Sequence, residues 1–221
     1  MTYDPAIHHR RSIRLKGYDY SQNGAYFVTI CTQNRECLFG EVVYGDMQLN
    51  DAGEMVECTW NEIPDHYHGV EIDAFQVMPD HIHGIILLNN NHDLNVGVDP
   101  HIGVDPRVGV DPRVGVDPRV YPYDLGRSQG IAPTILSLPD VVQRFKTLTT
   151  KRYVDGVKDK NWPAFNQRVW QRNYYEHIIR NKAAYLKICT YILSNPAKWG
   201  HGVQGPNGSG ASFKDEMRGL L

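Results

Sequence analysis

The chain has 221 residues, 41% hydrophobic and 22% charged, with a formal net charge of −2. That length supports one buried core with room for an appendage, and the composition is that of an ordinary globular protein. No run approaches the roughly 18 apolar residues of a membrane helix. The start, MTYDPAIHHRRSIRLKGYDY, lacks the apolar segment of a secretory signal. Cys31, Cys37, Cys58 and Cys189 show no CxxC spacing, which predicts reduced thiols in a cytoplasmic protein and argues against a zinc ribbon.

Residues 25–32 (AYFVTICT) are β-branched and aromatic and predict a strand. Residues 39–49 (FGEVVYGDMQL) predict a hairpin turning at Gly45-Asp46. Asn50 or Asp51 can cap a helix running to about residue 63, with Met55, Val56, Trp60 and Ile63 near helical spacing. Two strands follow, at 70–77 and 81–88, separated by a Met-Pro-Asp turn that includes Asp80. Residues 97–120 then read GVDPHI-GVDPRV-GVDPRV-GVDPRV. Four short units with a Pro and a Gly each cannot bury a core, so 89–132 predicts a low-complexity loop insertion rather than a solenoid. Leu138-Pro139-Asp140 opens a helix that continues through VVQRFKTLTTKRY. Residues 168–179 (RVWQRNYYEHII) predict a strand with Tyr174 and Tyr175 on opposite faces. Residues 182–194 predict a helix ended by Asn195-Pro196. The order predicts an α+β fold, an antiparallel sheet with helices on its faces. It forms one domain over 1–202, interrupted by the insertion at 89–132 and followed by a flexible tail at 203–221.

Charge is unevenly spread. Residues 41–80 hold ten acidic residues and no Lys or Arg, whereas 141–183 hold ten Lys or Arg against Asp155, Asp159 and Glu176. Such asymmetry predicts either a face suited to a polyanion or two ordinary solvated surfaces. The candidate DNA contacts are Arg10, Arg11, Arg14 and Lys16 near the start, Arg144, Lys146, Lys151 and Arg152 on the middle helix, and Arg168 and Arg172 beyond it.

The stretch MPDHIHGIILL sets His81 and His83 on one strand face, with Ile82 on the other. Two neutral imidazoles a few Å apart can grip one divalent cation, and a third ligand would be Asn195 or a carboxylate. The alternative is one hydrogen-bonded core histidine and one exposed one. In KICTYILSNPAKWG, Tyr191 and Asn195 are four apart and share a helical face. Tyr191 offers a phenol nucleophile or, alternatively, an apolar core contact.

Together AYFVTICTQNRECLFG, MPDHIHGIILL, VWQRNYYEHIIRN and YILSNPAKW resemble the single-tyrosine HUH transposases, and among them the REP-associated tyrosine transposases. The likeness spans nearly the whole chain outside the hexads and the tail. It implies a ferredoxin-like, RRM-like core, His81, His83 and Asn195 as ligands of Mg²⁺ or Mn²⁺, and Tyr191 as nucleophile. It also implies single-stranded or hairpin DNA as substrate, with one of Tyr174 and Tyr175 in the core and the other a candidate for stacking on that DNA, cut through a 5′-phosphotyrosine intermediate by a nucleoid-associated protein, monomer or homodimer. Two other readings stay open: a domesticated, non-catalytic hairpin-binding regulator, and a metallohydrolase of small phosphoesters.

Overall fold

The computed structural model describes residues 14–90 and 136–199. The hexads, Arg10 and Arg11, and the segment 203–221 lie outside the described residues. The main sheet has four strands: β1 (Gly24–Cys31), β4 (Val70–Met78), β5 (His81–Leu88) and β6 (Tyr175–Ile179), in the order β4-β5-β1-β6. Every neighbouring pair is antiparallel. Between β1 and β4 the chain inserts a hairpin, β2 (Gly40–Val43) and β3 (Asp46–Leu49), and the helices α1 (Asp51–Asn61) and α2 (Ile63–His66). Helix α3 (Leu138–Asp159) joins β5 to β6, and α4 (Lys182–Leu193) and the short α5 (Asn195–Lys198) close the described chain. Two split βαβ crossovers, each leaving room for one strand between its ends, make this a ferredoxin-like α+β fold, as expected. No helix among the described residues is long and apolar enough to cross a membrane.

Both sheet faces are covered, which is why β1 and β5 read as continuous apolar runs instead of alternating ones. Tyr26, Val28 and Ile30 of β1 and Ile82 and Ile86 of β5 pack with Val56 and Trp60 of α1 and with Val141, Val142 and Phe145 of α3. On the opposite face Phe27 and Ile85 meet Ile188, Tyr191 and Ile192 of α4. The histidines, alternating with Ile82, therefore face α4 and not the main core. The three longer helices, α1, α3 and α4, each start on a side-chain cap. Asn50 accepts a hydrogen bond from the Gly53 amide, Ser137 and Asp140 form a capping box, and the Asn181 side chain accepts from the Ala184 amide.

Three expectations shift. The β2–β3 turn is Tyr44-Gly45, one residue earlier than expected, because Val43 pairs with Asp46. The strand expected over 168–179 is real only from Tyr175; before it the chain is irregular, meeting the residue after β1 through an isolated bridge between Thr32 and Trp170. There the Lys146 ammonium donates to the carbonyls of Gln171, Arg172 and Asn173, at 3.0, 3.4 and 3.2 Å. Those oxygens are spent on a side chain and not on a ladder. Last, α4 breaks at Ser194, so Tyr191 and Asn195 are not on one continuous helix; Asn195 opens α5, with Pro196 in its favoured early position.

One close approach sets β5 against α1. A Cβ on Gly84 would sit 2.4 Å from the Trp60 ring, which itself stacks on Phe75 with centroids 4.6 Å apart. Gly84→Ala should lower the unfolding free energy by about 1–3 kcal/mol in urea titrations, the usual range for overpacking. A wild-type midpoint for that variant would show that Trp60 does not fill the space over Gly84.

Candidate active site on the histidine strand

His81 and His83 are both buried, 5% and 1% exposed. Register places Cys31 opposite His81 and Thr29 opposite His83 on β1. The His81 Nδ1 lies 2.6 Å from the Asp80 carboxylate, the two Nε2 atoms face each other at 3.0 Å, and His83 Nδ1 lies 2.8 Å from Thr29 Oγ1. One tautomer set satisfies all three contacts with both rings neutral. Thr29 Oγ1–H donates to His83 Nδ1, His83 Nε2–H donates to His81 Nε2, and His81 Nδ1–H donates to Asp80. Burial holds His81 below the usual imidazole range, with Asp80 pulling the other way. Burial first, and the neighbouring His81 second, push His83 well below it.

Asp80 is anchored from its other oxygen by Arg35, 2.8 Å from Oδ2, and Arg35 also donates to Cys31 Sγ at 3.0 Å. The chain is held in left-handed backbone at Asn34 and Arg35 to do this. Asp80 sits in the turn between β4 and β5 as expected, and buried there it orients His81.

The histidine pair fits a divalent cation. Two ligands on adjacent corners of an octahedron with bonds of about 2.1 Å lie about 3 Å apart, the separation of the two Nε2 atoms. Freeing both lone pairs needs only a tautomer change at His83, whose Nδ1–H would then donate to Thr29 Oγ1. A carboxylate and a hydroxyl behind the two rings are the outer partners such ligands use. Among the described residues no group of three or more His, Cys, Asp or Glu could hold a metal. Asn195, expected as the third ligand, opens α5.

Helices α4 and α5 bring the remaining groups. The Tyr191 ring is 5% exposed, 5.3 Å from the His83 ring and 6.2 Å from Phe27, centroid to centroid. Lys198 Nζ stands 5.5 Å from the Tyr191 centroid, and Trp199 packs 5.9 Å from His81. The half-buried Asn195 lies between these contacts along the chain. The structure thus gathers His81, His83 and Tyr191 as expected. It adds Asp80, Thr29, Arg35, Lys198 and Trp199, of which only Asp80 had a local signal, its place next to His81.

Of the candidate DNA contacts, Arg14, Lys146, Arg168 and Arg172 line one cavity of about 580 Å³ together with Tyr174. No carboxylate among the described residues lines it. Arg14 donates to the Tyr174 hydroxyl and stands 3.8 Å from the buried Glu176. Lys146 braces the 171–173 loop, and burial pushes its ammonium down to about 8. Arg144 lies over the Tyr67 ring. Arg152 is taken up by Glu62 and Thr59, both at 2.7 Å, and braces α3 on α1 where a DNA contact was expected. Lys16 and Lys151 are exposed.

No protein-family model matches this chain. An uncharacterized protein of Haemophilus influenzae is 39% identical over 201 residues, covering 89% of this chain and 93% of the relative. Among solved structures, a REP-associated tyrosine transposase bound to a REP hairpin is similar at a TM-score of 0.48 and 19% identity, over 96% of this chain and 88% of that one. A candidate transposase from Deinococcus radiodurans is similar at a TM-score of 0.37 and 16% identity, over 82% and 96% of the two chains.

Two outcomes are expected at the site. Asp80→Ala should weaken Mn²⁺ binding about 10- to 100-fold by calorimetry, the range for losing an outer partner of a ligating histidine; unchanged affinity would remove Asp80 from the site. The unfolded chain protonates its histidines near the ordinary value of about 6.5, while the fold holds His81 and His83 neutral below it. The unfolded state therefore binds more protons as pH falls, so stability present above about pH 6.5 is lost progressively below it. Urea midpoints should drop from pH 7 to pH 5, and the drop should shrink in His83→Gln; an equal drop in both would contradict the assignment.

Proposed function

This chain belongs to one family with the uncharacterized Haemophilus influenzae protein, and we propose that it is a single-tyrosine transposase of the HUH type. Its reaction is metal-dependent cutting and rejoining of single-stranded DNA next to a hairpin. The observation that carries this reading is the contact of a buried tyrosine with a paired-imidazole site. Tyr191 stands 5.3 Å from His83, whose Nε2 is 3.0 Å from that of His81.

His81 and His83, with Asn195, would hold Mg²⁺ or Mn²⁺, and imidazole ligands suit Mn²⁺ better. A bound cation there supplies Lewis-acid stabilisation of charge on the scissile phosphate. Asp80 and Thr29 keep the two rings aimed at one point. Tyr191 Oη attacks phosphorus as the P–O3′ bond breaks, leaving a 5′-phosphotyrosine and a 3′-hydroxyl. The phenol proton leaves to solvent, and the departing 3′-oxygen takes one up. The phosphotyrosine conserves the bond energy, so an incoming 3′-hydroxyl can reverse the step and join a new strand. Lys198, over the Tyr191 ring, is placed to meet phosphate charge brought to that phenol. The cavity of Arg14, Arg168 and Arg172 suits the flanking backbone.

The test is a denaturing gel with Mn²⁺ and a single strand that carries a palindrome. Wild type should give a covalent protein–DNA adduct. Tyr191→Phe should abolish it while retaining binding, and His81→Ala and His83→Ala should reduce cleavage to background. An adduct that persists in Tyr191→Phe and maps to Tyr174 or Tyr175 would overturn the choice of nucleophile. Binding without any wild-type adduct would favour a hairpin-binding regulator.

A further inference from the structure

Tyrosine is an unfavourable choice at the β2–β3 turn. Tyr44 and Gly45 alone span it, and both are left-handed, with φ of 53° and 89°. Two-residue turns of this hand favour Asn or Asp before Gly, because a bulky residue at positive φ crowds its own backbone. Packing gives nothing back. Tyr44 is fully exposed, and Val43 beside it is exposed as well. An aromatic held in strained backbone, with no contact among the described residues to repay it, is a feature that folding does not require.

The turn is also seated next to the site. A Cβ on Gly45 would lie 3.5 Å from Ala197 Cα, so the tip abuts α5. The next two residues of that segment carry Lys198 over Tyr191 and Trp199 against His81. The hairpin itself bears the exposed carboxylates of Glu41 and Asp46, which repel phosphate. Its tip therefore suits the flat, uncharged face of a nucleobase, while the backbone charge meets Lys198. Base–aromatic stacking of this kind tolerates any sequence because every base has a π-face.

We infer that Tyr44 is a stacking platform for an unpaired nucleobase beside the phosphodiester presented to Tyr191. This rests on the reading that the site takes single-stranded DNA, and it adds a contact outside the chemical machinery.

The test compares Tyr44→Asn, Tyr44→Phe and Tyr44→Trp in the full chain. The probes are a single-stranded oligonucleotide and the same sequence as a duplex. Tyr44→Asn creates the Asn-Gly turn the backbone prefers, so its urea midpoint should rise while single-strand affinity falls about ten-fold, within the range for one lost stacked base. Tyr44→Phe and Tyr44→Trp should keep the affinity. The fluorescence that the introduced indole adds to the Tyr44→Trp variant should be quenched by the single strand. Duplex binding should stay constant throughout. Wild-type single-strand affinity in Tyr44→Asn overturns the inference; so does an equal loss in Tyr44→Trp, or an equal loss for duplex. Because binding is read without cleavage, an adduct surviving in Tyr191→Phe would sink the nucleophile assignment and leave this result standing.

Discussion

Two buried imidazole nitrogens 3.0 Å apart must share either a proton or a cation. Everything else at the site follows from how that constraint is met. As the chain stands, a proton serves: His83 donates to His81, with Asp80 and Thr29 closing the line at either end. The same end groups serve the cation-bound form with one tautomer change and no new partner. Burial keeps both rings neutral, which is the state a metal ligand needs, and it makes a charged ring costly.

The fold explains why this pair can be buried without being core. Ferredoxin-like packing gives one sheet face to α1 and α3 and would leave the other open. Helix α4 covers that second face with a smaller apolar cluster, and Tyr191 enters the site as a member of it. The proposed nucleophile and the packing residue are therefore the same side chain. The break at Ser194 then turns the chain so that α5 lies against β3 and β4 and delivers Lys198 and Trp199 to the two aromatic groups.

Much of this was legible in the sequence where the signal is periodic. Alternation placed His81 and His83 on one face, and strand and cap signals gave the element order with small errors in bounds. The failures came from long-range partners. Lys146 removes three carbonyls from a strand that residues 168–174 would otherwise favour, and nothing local announces that. The role of Asp80 depends on Arg35, held by a left-handed turn far earlier in the chain. The turn at Tyr44-Gly45 was missed because register overrode the preference for Asp after Gly at the tip. Arg152 looked like one more cation in a basic run until Glu62 was found beside it.

The central claim is that both imidazoles ligate one cation at the face where Tyr191 lies. Electron spin echo modulation of Mn²⁺ bound to the full chain reads this directly. Ligation by both rings should give ¹⁴N coupling from two imidazoles, reduced to one in His81→Ala or His83→Ala and unchanged in Tyr191→Phe. A Mn²⁺ spectrum without nitrogen coupling, or one indifferent to both histidine substitutions, would contradict it.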